Sequence, residues 1–142
     1  MRIVIGSDAE GMALKETVKA YLLELGHKVV DYSLEPSPDL VDSTVAVGAD
    51  LLAHPESLGF AFDRYGAGSY MAACNMKGLV ACECSDERSA FMTRQHNNAR
   101  LICMGSGITG PDVARGIVDE FLSEPYAGGR HQVRVDMLEK MA

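Results

Sequence analysis

Two stretches of this chain carry residue types that could move a proton or hold an anion. The first runs Thr93-Arg94-Gln95-His96-Asn97-Asn98-Ala99-Arg100 into the apolar segment Leu101-Ile102-Cys103-Met104-Gly105. His96 and Asn97 stand where a helical pattern gives way to a buried strand. An unperturbed imidazole titrates near neutral pH, so a fixed histidine can both give and take a proton. The same residues also suit a helix terminator, because asparagine tolerates the left-handed conformation and histidine is favoured at a helix C-terminus. The second stretch is Gly128-Gly129-Arg130-His131-Gln132-Val133-Arg134. Its glycines let the backbone approach a ligand, and they open a helix whose N-terminus attracts anions. Arg130 and Arg134 are four apart and share one face of that helix, offering two guanidinium forks to a phosphate. The alternative is a solvated basic face on a surface helix.

Two weaker signals sit elsewhere. Tyr65-Gly66-Ala67-Gly68-Ser69 places glycines between a strand and a helix, where free amides can form an oxyanion nest or merely a tight turn. Its spacing is neither a Walker loop nor a dinucleotide fingerprint. No Cys, Glu or His stands in that loop to act as a base; the candidates are Tyr65, Ser69 and Asp63, the last expected as a solvated carboxylate. Asp8, after the first strand, suits either a sugar hydroxyl or the start of the first helix.

These residues are positioned by alternating elements. Arg2 to Ser7 is a β-branched run that reads as a buried parallel strand. Leu14, Val18, Tyr21, Leu22 and Leu25 follow helical spacing, and Gly26 stops that helix. His27 to Tyr32 is a second strand. Pro36 and Pro38 mark a loop, after which Val41, Val45, Ala49 and Leu52 line one face of a helix. Leu58 to Phe62 and Leu79 to Cys84 are further strands. Ser85 can cap the helix that follows, with Asp86 and Glu87 in its first turn. Leu101 to Met104 is the fifth strand, and Thr109 with Pro111 begins a helix carrying Val113, Ile117 and Phe121. A last helix runs from about Arg130 to the end. Strands separated by helices imply parallel pairing with right-handed crossovers. The fold class is α/β, a Rossmann-like three-layer α/β/α sandwich with a parallel sheet of about five strands. Ligands in such sheets bind beyond the carboxyl ends of the strands.

Composition bounds the partners. The 142 residues suit one domain, and 47% hydrophobic with 23% charged content is ordinary for a globular protein. A net charge of −7 argues against nucleic acid or an anionic membrane, while a local arginine cluster can still hold a small anion. There is no signal-peptide pattern and no apolar run of membrane-spanning length, so a soluble, cytoplasmic chain is expected. Cys82 and Cys84 alternate on one strand without a second metal-spaced pair, and with Cys74 and Cys103 they read as buried, reduced thiols.

Taken together, Ile5-Gly6-Ser7-Asp8, Gly66-Ala67-Gly68, Ser85-Asp86-Glu87-Arg88-Ser89-Ala90, His96-Asn97-Asn98-Ala99 and the run from Gly128 to Asp136 resemble one family over the full length. It is the ribose-5-phosphate isomerase B / galactose-6-phosphate isomerase family; the last two segments are the most specific, and the galactose-6-phosphate branch matches best. The resemblance implies metal-free, cofactor-free aldose–ketose interconversion of a sugar phosphate through an enediolate. It implies His96 as the ring-opening acid/base, Asn97 as a substrate-binding residue and Arg130 with Arg134 as the phosphate clamp; Asp8 stands beside them as a candidate substrate-binding residue from its place after the first strand.

Family members that work alone begin the glycine loop Cys-Gly-Thr-Gly and use the Cys as the base. Here the loop reads Tyr65-Gly66-Ala67-Gly68, and Ala9 stands where the family has a histidine. The resemblance therefore implies an interface site to which this chain gives the His-Asn-Arg half and a LacB-type subunit gives the base, with the C-terminal helix docking on the partner. The implied reaction interconverts D-galactose 6-phosphate and D-tagatose 6-phosphate. Self-association as a dimer, a self-sufficient ribose-5-phosphate isomerase with Asp63 as replacement base, and a non-catalytic sugar-phosphate-binding scaffold stay open.

Overall fold

Parallel strands whose side chains are covered on both faces need apolar residues at every position, and the first strand supplies them. In the computed structural model, which describes residues 1–142, β1 (Arg2–Ser7) is buried at every residue after Arg2. The chain continues through α1 (Met12–Glu24), β2 (Lys28–Asp31), α2 (Leu40–Ala53), β3 (Leu58–Asp63), α3 (Ala67–Cys74) and β4 (Ala81–Glu83). It ends with α4 (Glu87–Asn97), β5 (Leu101–Gly105), α5 (Pro111–Ser123), a 3-10 turn (Gly129–His131) and α6 (Gln132–Lys140). The five strands form one wholly parallel sheet in the order β2-β1-β3-β5-β4. This is the α/β/α sandwich that the alternation of elements implies.

Strand periodicity divides the core in two. Ile3, Ile5, Phe60, Phe62, Ile102 and Met104 point to the side covered by α1, α4 and α5, where Phe121 meets Phe60 edge-on at 5.5 Å. Val4, Ala61, Leu101 and Cys103 point to the other side, against Val47 and Leu51 of α2 and Ala73 of α3. No helix is long and apolar enough to cross a membrane.

Four local readings of the sequence differ from the structure. Val41, Val45 and Leu52 lie exposed, because α2 turns its Ser43-Val47-Leu51 face to the sheet instead. Gly6 and Gly59 allow that close approach: a Cβ on Gly6 would lie 2.9 Å from Val47, and one on Gly59 would lie 3.0 Å from Leu51. α4 is capped by Asp86, not Ser85, whose hydroxyl donates to Glu83. α5 starts after Gly110, leaving the Thr109 hydroxyl buried and unpartnered. The strand expected from Leu79 is shorter, beginning at Ala81.

Two buried ion pairs tie the sheet edge to its helices. The Lys15 ammonium, fully buried on α1, donates to Asp31 at 2.7 Å, and Lys19 adds a second bond to the same oxygen at 2.9 Å. Asp50 of α2 accepts a two-pronged contact from Arg2 and a 2.7 Å bond from the Tyr32 hydroxyl. The Arg2 guanidinium holds the Asp50 carboxyl down at about 2, outweighing the upward push of burial. A carboxylate whose value is lower in the folded chain contributes stability above its unfolded value, and that contribution disappears as pH falls towards the folded one. Stability is therefore expected to fall between roughly pH 4 and pH 2. Asp50→Asn should lose about 2–3 kcal/mol at pH 7 and flatten that limb in urea titrations.

Candidate functional site

The site begins with how α4 ends. At its start Asp86 accepts from the Ser89 amide and from the Ser89 hydroxyl, each at 2.7 Å. At its end Asn98 takes the left-handed conformation, φ 53°, and its side chain accepts from Arg94 at 2.8 Å. Termination is thus the work of Asn98, which leaves His96 and Asn97 on the last helical turn free for other roles. Asn97 donates to the Thr93 hydroxyl, one helical turn back, at 3.1 Å. No side-chain hydrogen bond engages either ring nitrogen of His96. Its imidazole instead stacks on His131, with ring centroids 4.2 Å apart and planes 11° from parallel.

His131 reaches that position because the chain doubles back after α5. Gly128 and Gly129 both have positive φ, 64° and 57°, a region side chains disfavour. The Ala127 amide donates to the Gln95 carbonyl at 2.9 Å, fastening this turn to α4. Arg130 therefore lies in the 3-10 turn and Arg134 in α6, rather than both on one α-helix. Both are exposed and neither has a carboxylate partner. Arg134 and Asn97 border a hollow of about 410 Å³ together with Thr93, Tyr70 and Cys82. Burial, then His96, then Arg130 and Arg134 push His131 below the ordinary imidazole value.

The glycine loop and Asp8 lie at the opposite end of the sheet. α4 must carry the chain from the carboxyl end of β4 back to the amino end of β5, and eleven residues span about 16 Å. His96 and Asn97 stand at the end of that return, whereas Asp8 follows the carboxyl end of β1 and Tyr65 that of β3. The structure thus groups His96, Asn97, Arg130 and Arg134 and leaves Asp8 with the loop.

Asp63 corrects a sequence expectation. It is 2% exposed rather than solvated, and both its oxygens are in use. One accepts the Gly66 amide and the other the Ser69 amide, the latter at 3.0 Å. A carboxylate committed to two loop amides positions that loop and is not free to take a carbon-bound proton. The Ala67 and Gly68 amides, first in α3, have no acceptor in the chain, as a nest requires. Asp8 accepts from the Gly11 amide at 3.0 Å, the turn-forming role considered for it. Burial pushes its carboxyl up, the Gly11 bond opposes this, and nearby Asp63 adds to the rise.

Sequence reasoning gave no role to three residues that help build these two ends. His131 lies in the quoted Gly128–Arg134 run, but its partner is 35 positions away in sequence and nothing local predicts the stack. Thr93 was legible, since residues four apart share a helix face. Glu83 leans against Gly66, where an added Cβ would meet its Oε1 at 3.2 Å. No three His, Cys, Asp or Glu side chains converge in a metal-holding geometry. The thiols are all free; Cys84 and Cys103 are buried as expected, but Cys82 is half-buried and Cys74 exposed, because α3 turns Cys74 outward.

The sequence profile described as Ribose/Galactose Isomerase matches residues 3–138. The chain belongs to the ribose/galactose isomerase family. It is 52% identical over 142 residues, the whole of both chains, to galactose-6-phosphate isomerase subunit LacA of Enterococcus faecalis. Its structure superposes on ribose 5-phosphate isomerase B of Thermotoga maritima with a TM-score of 0.94 at 34% identity, covering 99% of this chain and 98% of that one. The Mycoplasma genitalium ribose-5-phosphate isomerase B, solved with bound ribulose-5-phosphate, gives 0.92 at 32% identity, over 97% and 93%. The family and fold expected from the sequence motifs are therefore correct.

Asp63→Ala removes two charge-assisted bonds from a buried loop, each worth about 1.5–3 kcal/mol. The variant is expected to lose about 2–4 kcal/mol of stability in urea unfolding. The Gly66 and Ser69 amides should lose their protection from hydrogen exchange.

Proposed function

We propose that this chain is a galactose-6-phosphate isomerase subunit that gives the ring-opening and phosphate-binding half of a site completed by a LacB-type partner. The observation that carries this reading is the division of its candidate residues between two ends of the sheet. An uncommitted imidazole, an amide and two unpaired guanidiniums stand at one end. A loop with free Ala67 and Gly68 amides, whose Asp63 is committed to two of its other amides, stands at the other.

The chemistry follows from those groups. Arg130 and Arg134 match a phosphate dianion with charge-assisted bonds. His96 takes the proton of the anomeric hydroxyl and returns a proton to the ring oxygen, which opens the hexose. Asn97, steadied by Thr93, hydrogen-bonds a sugar hydroxyl. The partner's base then removes the C2 proton from the aldose. Its loop amides stabilise the charge that this leaves on O1; transfer of the O2 hydroxyl proton to O1 and return of the abstracted proton from the same base to C1 give the ketose. Asp8 belongs with this chain's own loop, so any hydroxyl it holds lies in a second interface site. The commitment of Asp63 to two amides weighs against a self-sufficient enzyme using it as the base.

The single domain spans 1–142, and α6 supplies the docking element, since Val133, Met137 and Leu138 lie exposed along it. Those side chains favour a partner subunit, with a dimer of this chain as the competing assembly. A sugar phosphate is a dianion that a bilayer excludes, which fits a cytoplasmic place of action.

The purified chain is expected to show no turnover, and co-expression with its LacB-type partner to give isomerase activity on D-galactose 6-phosphate. Full activity of the chain alone would overturn the half-site, and binding without turnover in any mixture would point to a scaffold. In the assembled enzyme His96→Ala should lower kcat by about 10²–10⁴-fold, the range for a lost acid/base group. Arg130→Ala and Arg134→Ala should each raise KM about 10-fold or more with a smaller effect on kcat, as loss of a charge-assisted bond predicts.

A further inference from the structure

We propose that His131 is a positioning residue for His96, its stacked ring fixing the plane in which His96 handles the proton of ring opening. The inference rests on the reading of His96 as the ring-opening group. A histidine that transfers protons is commonly oriented by a hydrogen bond to its second ring nitrogen. His96 has no such bond in this chain, and it stands on the last turn of α4, where helices fray. The near-parallel face of His131 at 4.2 Å is the contact that holds its plane. A stack of this kind leaves both ring nitrogens of His96 open to a substrate, which an orienting hydrogen bond would not.

The support is itself built. Gly128 and Gly129 turn the chain, the His131 amide donates to the Gly128 carbonyl at 3.1 Å, and Ala127 is bonded to Gln95 of α4. The charged and titratable groups facing His131 are His96 from α4, Arg130 from the turn and Arg134 from α6. All are cationic or can become so, and they disfavour a proton on His131. With burial, the largest cause, they hold the His131 imidazole below its ordinary value, so it takes a proton less readily than a free histidine. It also couples the two functions of this end, because it lies between Arg130 and Arg134 in the chain and its ring is seated on His96.

The experiment is steady-state kinetics on the assembled enzyme, co-expressed with its partner, for His131→Ala, His131→Phe and His131→Leu beside His96→Ala. His131→Ala is expected to lower kcat about 10–100-fold, the scale of a catalytic group displaced by about an ångström, with KM changed less than about threefold. His131→Phe, which keeps a flat ring, should recover most of kcat, and His131→Leu, which fills the volume without one, should not. If His131→Ala does not assemble, the Phe and Leu pair decides. The inference is overturned if Phe and Leu are equally impaired, if His131→Ala matches the wild type, or if its loss is confined to KM. An unchanged rate for His96→Ala would instead remove the reading of His96 itself, so the two failures are distinguishable. In the isolated chain, the ring proton resonances of His96 should lose their ring-current shift in His131→Ala and keep one in His131→Phe. Unmoved resonances in the Ala variant would also overturn the stack.

Discussion

A crossover helix between two parallel strands must be as long as the sheet is deep, because it returns the chain from the carboxyl end of one strand to the amino end of the next. Here α4 makes that return with eleven residues. Its first turn lies beside the loops that follow the strands, and its last turn lies at the far edge of the sheet. His96 and Asn97 are in the last turn, so they are held away from the glycine loop by the geometry of the fold itself. Eleven helical residues put a rise of about 16 Å between the first and last turns of α4. The half-site proposed above rests on that separation.

The far end is assembled from two separate elements. α4 contributes His96, Asn97 and Thr93, while the turn after α5 contributes Arg130, His131 and, one helical turn on, Arg134. Two positive-φ glycines and the Ala127-to-Gln95 bond join them. The result is a small positive region on a chain whose net charge is −7. At the sheet edge buried charge is neutralised locally: Lys15 and Lys19 meet Asp31, and Arg2 meets Asp50. Arg130 and Arg134 are left without such partners, and unpaired cations suit an anionic ligand.

The near end is organised by Asp63. Its two oxygens bind the Gly66 and Ser69 amides around a left-handed Gly66, and the Ala67 and Gly68 amides between them have no acceptor in the chain. The scaffold of an oxyanion nest is thus retained although the residue before it is Tyr65. The buried carboxylate of this loop is committed to its amides, while those of Ala67 and Gly68 stay unpaired within the chain.

Much of this was legible in the residues alone. Strand runs such as Arg2–Ser7 and Leu101–Gly105 are buried on both faces and so carry an unbroken apolar signal. The glycines at 66, 128 and 129 mark positions where the backbone must enter left-handed space, a local property that sequence can report. His96, Asn97, Arg130 and Arg134 could be singled out by residue type, but the shared helix face expected of Arg130 and Arg134 from their spacing gives way to a 3-10 turn followed by α6. What sequence could not decide were matters set by partners distant along the chain. Val41 and Val45 have helical spacing, yet which stripe of α2 meets the sheet depended on where Gly6 and Gly59 admit close packing. Asp63 resembles any loop carboxylate until the loop folds back and supplies two donors. The stack of His131 on His96, and the placement of Asp8 at the opposite end, follow from the crossover and the turn after α5. Residue type and local conformation are written in the sequence; which groups face one another is decided only when the sheet sets the distances between them.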